Sequence, residues 1–335
     1  RKKQIEELYR KHPEEARDSF GEDPFEVKNI LKYWVFSEKP EFHVIPTDTI
    51  NIHIDKDALL RSGIMLPKTI RHLKGEDLKD AIPDKLYIPL TDIRMLTKVD
   101  LLMLEMLANC NWERPLYLAI SVGSVSKLKF DNYFVQEGLA FRFTPFDYKK
   151  WGDVGENRLY AVDVERLYDN VMNRYKYGGL DTPGLYLDET TLRTCWYHRR
   201  LFAQLAKELI AQGDNERAKK VLAYAEQVIP GYNVPETHES GSYDIATAYP
   251  ALGEKTKAVT LAVHLIAEAE DYINWAFSLK GNRIEMVRND CIYKFWQWNQ
   301  YNELLKKIDG EKYKESNRRF EEKYALFAPT MNYKN

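Results

Sequence analysis

The stretch LFAQLAKELIAQGDNERAKKVLAYAEQVIP, residues 201–230, decides the class of the C-terminal half. Phe202, Leu205, Ala206 and Leu209 recur at helical spacing before Gly213, and Ala218, Leu222 and Ala225 do so after it. Gly213 marks the turn between two helices, small Ala206 and Ala218 let those helices approach closely, and Pro230 closes the unit. The frame returns about 40 residues later as Ile245, Ala246, Tyr249, Gly253 and Ala258. The second copy is degenerate, with Ser242 in place of a large first residue and Glu270 in place of the closing proline.

This spacing is that of a tetratricopeptide repeat, so the prediction is a stack of antiparallel helices. The segments MVRNDCIYKFWQWNQYNELLKKI (286–308) and KESNRRFEEKYALF (314–327) supply further helices to cap it. By repeat position Arg200, Lys207 and Tyr243 fall on the inner face and are candidate binding residues. Upstream, DVERLYDNVMNRYKYGG (163–179) reads as a helix capped by Asp163, with Val164, Leu167, Tyr168, Val171 and Tyr175 on one side and Gly178-Gly179 as its stop.

The texture before residue 156 differs. In DPFEVKNILKYWVF, Asp23 reads as a cap, Pro24 as the first helical position, and Val27, Ile30, Leu31 and Trp34 as a buried stripe. From residue 40, EFHVIP, TINIHI and KLYIPL read as short strands. Thr97 and Asp100 form an acidic capping box ahead of the apolar helix LLMLEMLANC. NCNWERPLYLAISVGS (109–124) then leads into an alternating strand, with Leu116, Leu118 and Ile120 on one face and Tyr117, Ala119 and Ser121 on the other. FDNYFVQEG reads as a short helix ended by Gly138, and LAFRFTP as a second strand, with Leu139, Phe141 and Phe143 opposite Ala140, Arg142 and Thr144. Strand, helix, strand predicts a βαβ-like unit. The fold class expected is therefore α+β, mostly α: N-terminal helices over 1–39, a small α/β module over 40–155, and a tetratricopeptide-like helical stack over 156–335.

Composition narrows the function. The chain has 335 residues, 44% hydrophobic and 13% aromatic, as an ordered globular protein does. With 49 basic against 51 acidic residues the net charge is −2, and no basic stripe is evident, which argues against nucleic acid as a partner. No apolar run approaches the roughly 20 residues of a membrane span, so a soluble piece is expected. The start RKKQIEELYR carries no Met or signal peptide and reads as a cut from something larger. Cys110, Cys195 and Cys291 lack zinc-site spacing and read as buried thiols, a Cys195–Cys291 disulfide requiring an oxidising compartment.

Chemistry-bearing motifs are sparse. Asp55-Lys56-Asp57 spells a D-x-D that could hold a divalent cation, yet Asp55 also reads as a helix N-cap with Asp57 in the first turn, and that reading is preferred. The seven histidines, among them His43 and His53, are scattered without metal-site spacing, and SVGSVS around Gly123 and Ser124 lacks the nucleophile-elbow pattern. No catalytic residue, metal or cofactor is assigned. Trp112, Arg114, Tyr117 and Glu137, at the ends of the βαβ-like unit, are candidate binding residues. The preferred role of Arg114 and Glu137 is structural: pairing with each other or with backbone groups to lock the joint.

Two stretches, TKVDLLMLEMLANCNWERPLYLAISVG and DNYFVQEGLAFRFTP, resemble the soluble C-terminal portion of a Bacteroidetes family of multi-span membrane proteins. That family has no assigned function and is similar to protein O-mannosyltransferases. The likeness extends from INIHIDKDALLRSG through YDNVMNRYKYGGLDTPGLYLDE into LFAQLAKELIAQGDNERAKKVL, about residues 25–260. It implies a transmembrane half outside this chain, a place on the periplasmic face of the inner membrane, and transfer chemistry carried by the membrane-embedded half. The reading that results is a non-catalytic periplasmic domain that binds or positions a protein or glycan acceptor. Its rivals are a free-standing helical-repeat adaptor and a soluble carbohydrate-active hydrolase.

Overall fold

The computed structural model describes residues 1–40, 43–122, 128, 130–155, 160–279 and 283–331. The chain divides into two compact units, Arg1–Asp163 and Val164–Asn335, and its class is α+β, mostly α, as expected.

The first unit opens with α1 (Lys2–Lys11), α2 (Pro13–Phe20) and α3 (Val27–Ile30), which runs into a π-type turn over Leu31–Val35. Val27, Ile30, Leu31 and Trp34 are buried, as their spacing predicts. The helix starts later than Pro24, however. The Asp23 carboxylate accepts from Phe25 N at 2.9 Å and pairs with Lys85 at 2.6 Å, while Phe25 O accepts from Asn51 N. Residues 24 and 25 therefore form a turn, and Glu26 bridges to Asn51 on a strand before the helix can begin.

That strand is β1 (Thr49–His53); α4 (Lys56–Arg61), α5 (Gly75–Ala81), β2 (Lys85–Pro89) and α6 (Lys98–Asn109) follow. β1 and β2 pair antiparallel with Ile50 opposite Ile88, so their buried isoleucines share a face. The strand expected for EFHVIP is not seen: His43–Pro46 has no ladder, and Glu41 and Phe42 lie outside the described residues. Prolines at 40 and 46 limit the N–H donors there. The capping box of α6 is present, with Thr97 N donating to Asp100 Oδ2 at 2.7 Å and Asp100 N to Thr97 Oγ1 at 3.2 Å.

β3 (Tyr117–Ala119), β4 (Phe134–Gln136), β5 (Ala140–Phe143) and β6 (Ala161–Val162) form a sheet of order β3-β5-β4-β6. Here the βαβ expectation fails. FDNYFVQEG holds a single 3-10 turn, Asp131–Tyr133, and then strand β4, which pairs antiparallel with β5. The reversal runs through Gly138 at φ +154°, and β3 also pairs antiparallel with β5. Phe134 and Val135 prefer the pleated surface, and a helix here would remove them from the Phe143 ring and the sheet core.

The second unit is helical: α7 (Val164–Asp169), α8 (Glu189–Ala211), α9 (Asn215–Val228), α10 (Ser242–Ala248), α11 (Lys255–Ser278), α12 (Arg283–Met286), α13 (Arg288–Ile308) and α14 (Gly310–Met331). α8 packs on α9 and α10, α10 on α11, α11 on α13, and α13 on α14. The hairpin frame read from residues 201–230 recurs in three dimensions. Gly213 and Gly253 both adopt left-handed φ, +81° and +80°. After each, the next amide bonds back to the preceding turn, Asp214 N to Leu209 O and Glu254 N to Tyr249 O. Ala206, Ala218, Ala246 and Ala258 are fully buried at the same frame positions. All three cysteines are free thiols, Cys195 and Cys291 buried, and burial raises their pKa values.

Replacing Ala218 by Leu should overpack the α8–α9 contact and cost roughly 1–3 kcal/mol. Exposed Ala211 should accept the same change within about 0.5 kcal/mol. Thermal or denaturant melts of the two variants check this, and equal stability would contradict the hairpin contact.

Candidate functional site

The joint after α6 is the most constrained backbone of the first unit. Asn111 and Trp112 have φ +50° and +61°, the non-glycine residues with positive φ among those described. For a bulky residue such as Trp this region is costly and persists only where surroundings enforce it. They do: Trp112 is buried, its Nε1 donates to His53 O at 2.7 Å, and its ring stacks near Phe143. Asn111 Oδ1 accepts from Lys28 Nζ at 3.0 Å. The joint thus ties the end of α6 to the end of β1 and to α3.

A cleft of about 630 Å³ opens beside it, lined in part by His53, Asp55, Asp57, Asn111 and Trp112. The D-x-D carboxylates in it are engaged in structure. Asp55 accepts from Ala58 N at 2.9 Å as the N-cap of α4. Asp57 pairs with Lys79 at 2.7 Å, and that hydrogen bond holds its carboxyl below the usual range. The helix-start reading of this motif is the one the geometry displays. Gly123 and Ser124 lie outside the described residues.

Of the two pairings expected for Arg114 and Glu137, the mutual ion pair is not found among the described residues. Glu137 is buried, its Oε2 accepts from Tyr117 OH at 2.7 Å, and its Oε1 lies 3.6 Å from Arg142. Arg142 is buried as well and donates to Ser62 O at 2.9 Å, Ser62 Oγ at 2.7 Å and Gly63 O at 3.3 Å. It therefore fastens β5 to the end of α4, while Arg114 stands exposed in the turn before β3. Pairing in the sheet explains the exchange, because β5 carries Arg142 directly opposite Tyr117. The structure brings together Tyr117 and Glu137; Trp112 faces inward.

In the second unit Lys207 pairs with Asp244 of α10, and the candidates Arg200 and Tyr243 contact one loop, residues 229–241. Its shape is set by Arg199, which the sequence reading passed over. The buried Arg199 guanidinium donates to the carbonyls of Ile229, Val234 and Pro235 and to Ser240 Oγ, at 2.5–3.1 Å. Burial lowers its pKa to about 10. Neighbouring Arg200 points outward and donates through Nε to Glu239 O at 2.6 Å.

The loop presents His238 to an aromatic cluster. Tyr243 stacks on the imidazole at 5.4 Å, Trp296 and Tyr293 meet it edgewise, and Nδ1 lies 2.9 Å from Tyr301 OH. Burial lowers the His238 pKa and favours the neutral ring. Trp296 and Tyr293 are about half exposed, at 48% and 45%, so the cluster reaches the surface. Gln297 donates to Glu239 Oε1 at 2.9 Å, and Lys294 pairs with Glu268 at 3.1 Å. Stacked aromatics flanked by both signs of charge suit recognition of a partly apolar, hydrogen-bonding ligand. The only signal for His238 and Trp296 in the sequence is their aromatic and titratable character, since the positions that meet lie 58 residues apart.

Removing the Arg142 side chain, as in Arg142→Ala, should destabilise the chain by about 3–5 kcal/mol, because buried Glu137 and two carbonyls lose their partner. Arg114→Ala should stay within about 0.5 kcal/mol. Denaturant unfolding distinguishes them; a larger loss at Arg114 would contradict the assignment.

Compared with known proteins, residues 2–165 match the family model described as TMEM260-associated domain 2. No curated protein and no solved structure matches the chain. The matched span coincides with the first compact unit, Arg1–Asp163, to within two residues at its end. Among the described residues no helix is long and apolar enough to cross a membrane.

Proposed function

We propose that this chain is the non-catalytic, periplasmic part of a membrane-bound glycosyltransferase-like protein and holds a protein or glycan acceptor for the membrane half. The family model over the first unit ties it to a membrane protein, and the resemblance to the O-mannosyltransferase-like family supplies the kind of chemistry it serves. The carrying observation is the His238 surface, where Tyr243, Tyr293 and Trp296 form an aromatic patch beside Arg200. α10 supplies Tyr243 to that patch, and α13 supplies Tyr293 and Trp296. Meanwhile the carboxylates that could serve acid–base work, Asp55, Asp57 and Glu137, are held in a cap, an ion pair and a buried hydrogen bond. Such groups support geometry better than turnover, which needs them free within about 3 Å of reacting atoms.

The repeated hairpin also favours a second reading, a free-standing helical-repeat adaptor. Fractionation of native cells separates the two: the first requires the chain to travel with the membrane, the second with the soluble fraction.

The test of the main reading joins binding and turnover. The purified chain, incubated with polyprenyl-phosphate sugars and acceptor peptides or with chromogenic glycosides, should release no product. It should bind acceptor peptide or glycan with a change in tryptophan fluorescence. Trp296→Ala should weaken that binding on the order of tenfold, as loss of an aromatic anchor does, while Arg114→Ala leaves it unchanged. Turnover that survives repurification, or binding indifferent to Trp296, would overturn the proposal.

A further inference from the structure

The outward face of α6 is apolar. Its sequence KVDLLMLEMLAN is apolar on nearly every side, and Leu104, Leu107 and Ala108 occupy the core. That leaves Val99, Leu102 and Met106 at i, i+3 and i+7 facing water, 45%, 57% and 50% exposed. Met95, 70% exposed, precedes the helix four residues before Val99 and continues the stripe. A helix that is apolar all round is ordinarily covered on all sides, and a contiguous exposed apolar stripe marks an interaction surface.

Two cations edge this stripe. Arg94 and Lys98 are exposed, and neither has a carboxylate within ion-pair distance among the described residues. Lys98, Glu105 and Asn109 follow each other at i, i+7 and i+11 and form the polar border of the apolar row. Met95, Arg94 and Leu101 also line a cleft of about 880 Å³ whose other walls include Val44 and Leu96. The surface is thus an apolar strip with a basic end.

We propose that this face of α6, together with Arg94, Met95 and Lys98, lies on a bilayer surface bearing anionic headgroups. An interfacial helix binds by sinking an apolar stripe into the headgroup boundary while basic side chains meet lipid phosphate. Both parts are present here. A bilayer also needs no shape complement, whereas a stable protein interface draws on roughly 20–30 residues a side, far more than these four apolar side chains offer. The inference does not depend on the acceptor surface of the second unit.

The experiment is co-flotation of the purified chain with vesicles of phosphatidylcholine alone and of phosphatidylcholine with phosphatidylglycerol in equal parts. The chain should float with the anionic vesicles and release as salt rises. Leu102→Ser with Met106→Ser should cut the partition on the order of tenfold or more, from the apolar area lost. Arg94→Glu with Lys98→Glu should cut it by a comparable factor on anionic vesicles. All four side chains are exposed, so circular dichroism should show the fold kept in both variants. Failure to float with either vesicle would overturn the proposal, as would flotation unchanged in both variants. A dimer in light scattering that dissolves on Leu102→Ser, with no flotation, would assign the face to a second copy of the chain instead.

Discussion

A guanidinium taken out of water must find acceptors for its N–H groups, and Arg199 finds four of them in a single loop. Three carbonyls and a hydroxyl between Ile229 and Ser240 converge on it. Leaving such a charge buried without partners costs several kcal/mol, so the loop has little freedom to take another path while α8 is in place. His238 and Glu239 ride on that path. The aromatic cluster against α13 and the Arg200 contact to Glu239 O both follow from it.

The first unit uses the same device. Arg142 gathers Ser62 and Gly63 at the end of α4 and stands beside Glu137, which joins β5 to the turn of its own hairpin and to Tyr117 on β3. In both units one arginine is buried and directs backbone, and another, Arg114 or Arg200, faces solvent near it. The buried member fixes the geometry of the backbone around it. Groups that resemble catalytic parts in the sequence, the D-x-D above all, are absorbed into caps and ion pairs in the same way.

Much of the helical architecture was legible because its signals are local. The Thr97–Asp100 box, the Gly213 turn and the small residues Ala206 and Ala218 each act within a few residues of themselves or across one helix contact. The strand-rich part was less so. β3 and β4 have three residues each, shorter than any window in which a period of 2 can be told from 3.6, and so FDNYFVQEG read as a helix. Asp23 looked like a helix cap, but its partner is Lys85, 62 residues away. Of the candidate residues in the second unit, Arg200 and Tyr243 meet one loop through Glu239 and His238, while Lys207 pairs with Asp244 of α10. Arg142 and Arg199 were invisible because their roles are set by carbonyls about 30–80 residues distant, and nothing in an arginine's own neighbourhood announces which carbonyls will reach it.

The claim that Arg199 holds the loop over residues 229–241 is tested most directly by amide hydrogen exchange on Arg199→Met beside Arg200→Met. The loop amides of Val234 and Gly241, which bond to Pro230 O and His238 O, report the local opening. The account predicts that Arg199→Met speeds their exchange by about tenfold or more while α11 amides keep their protection, since losing a hydrogen-bonded buried charge frees the loop by more than 1.4 kcal/mol. Arg200→Met should leave both sets unchanged. Loop protection that persists in Arg199→Met, or that falls only in Arg200→Met, would contradict it.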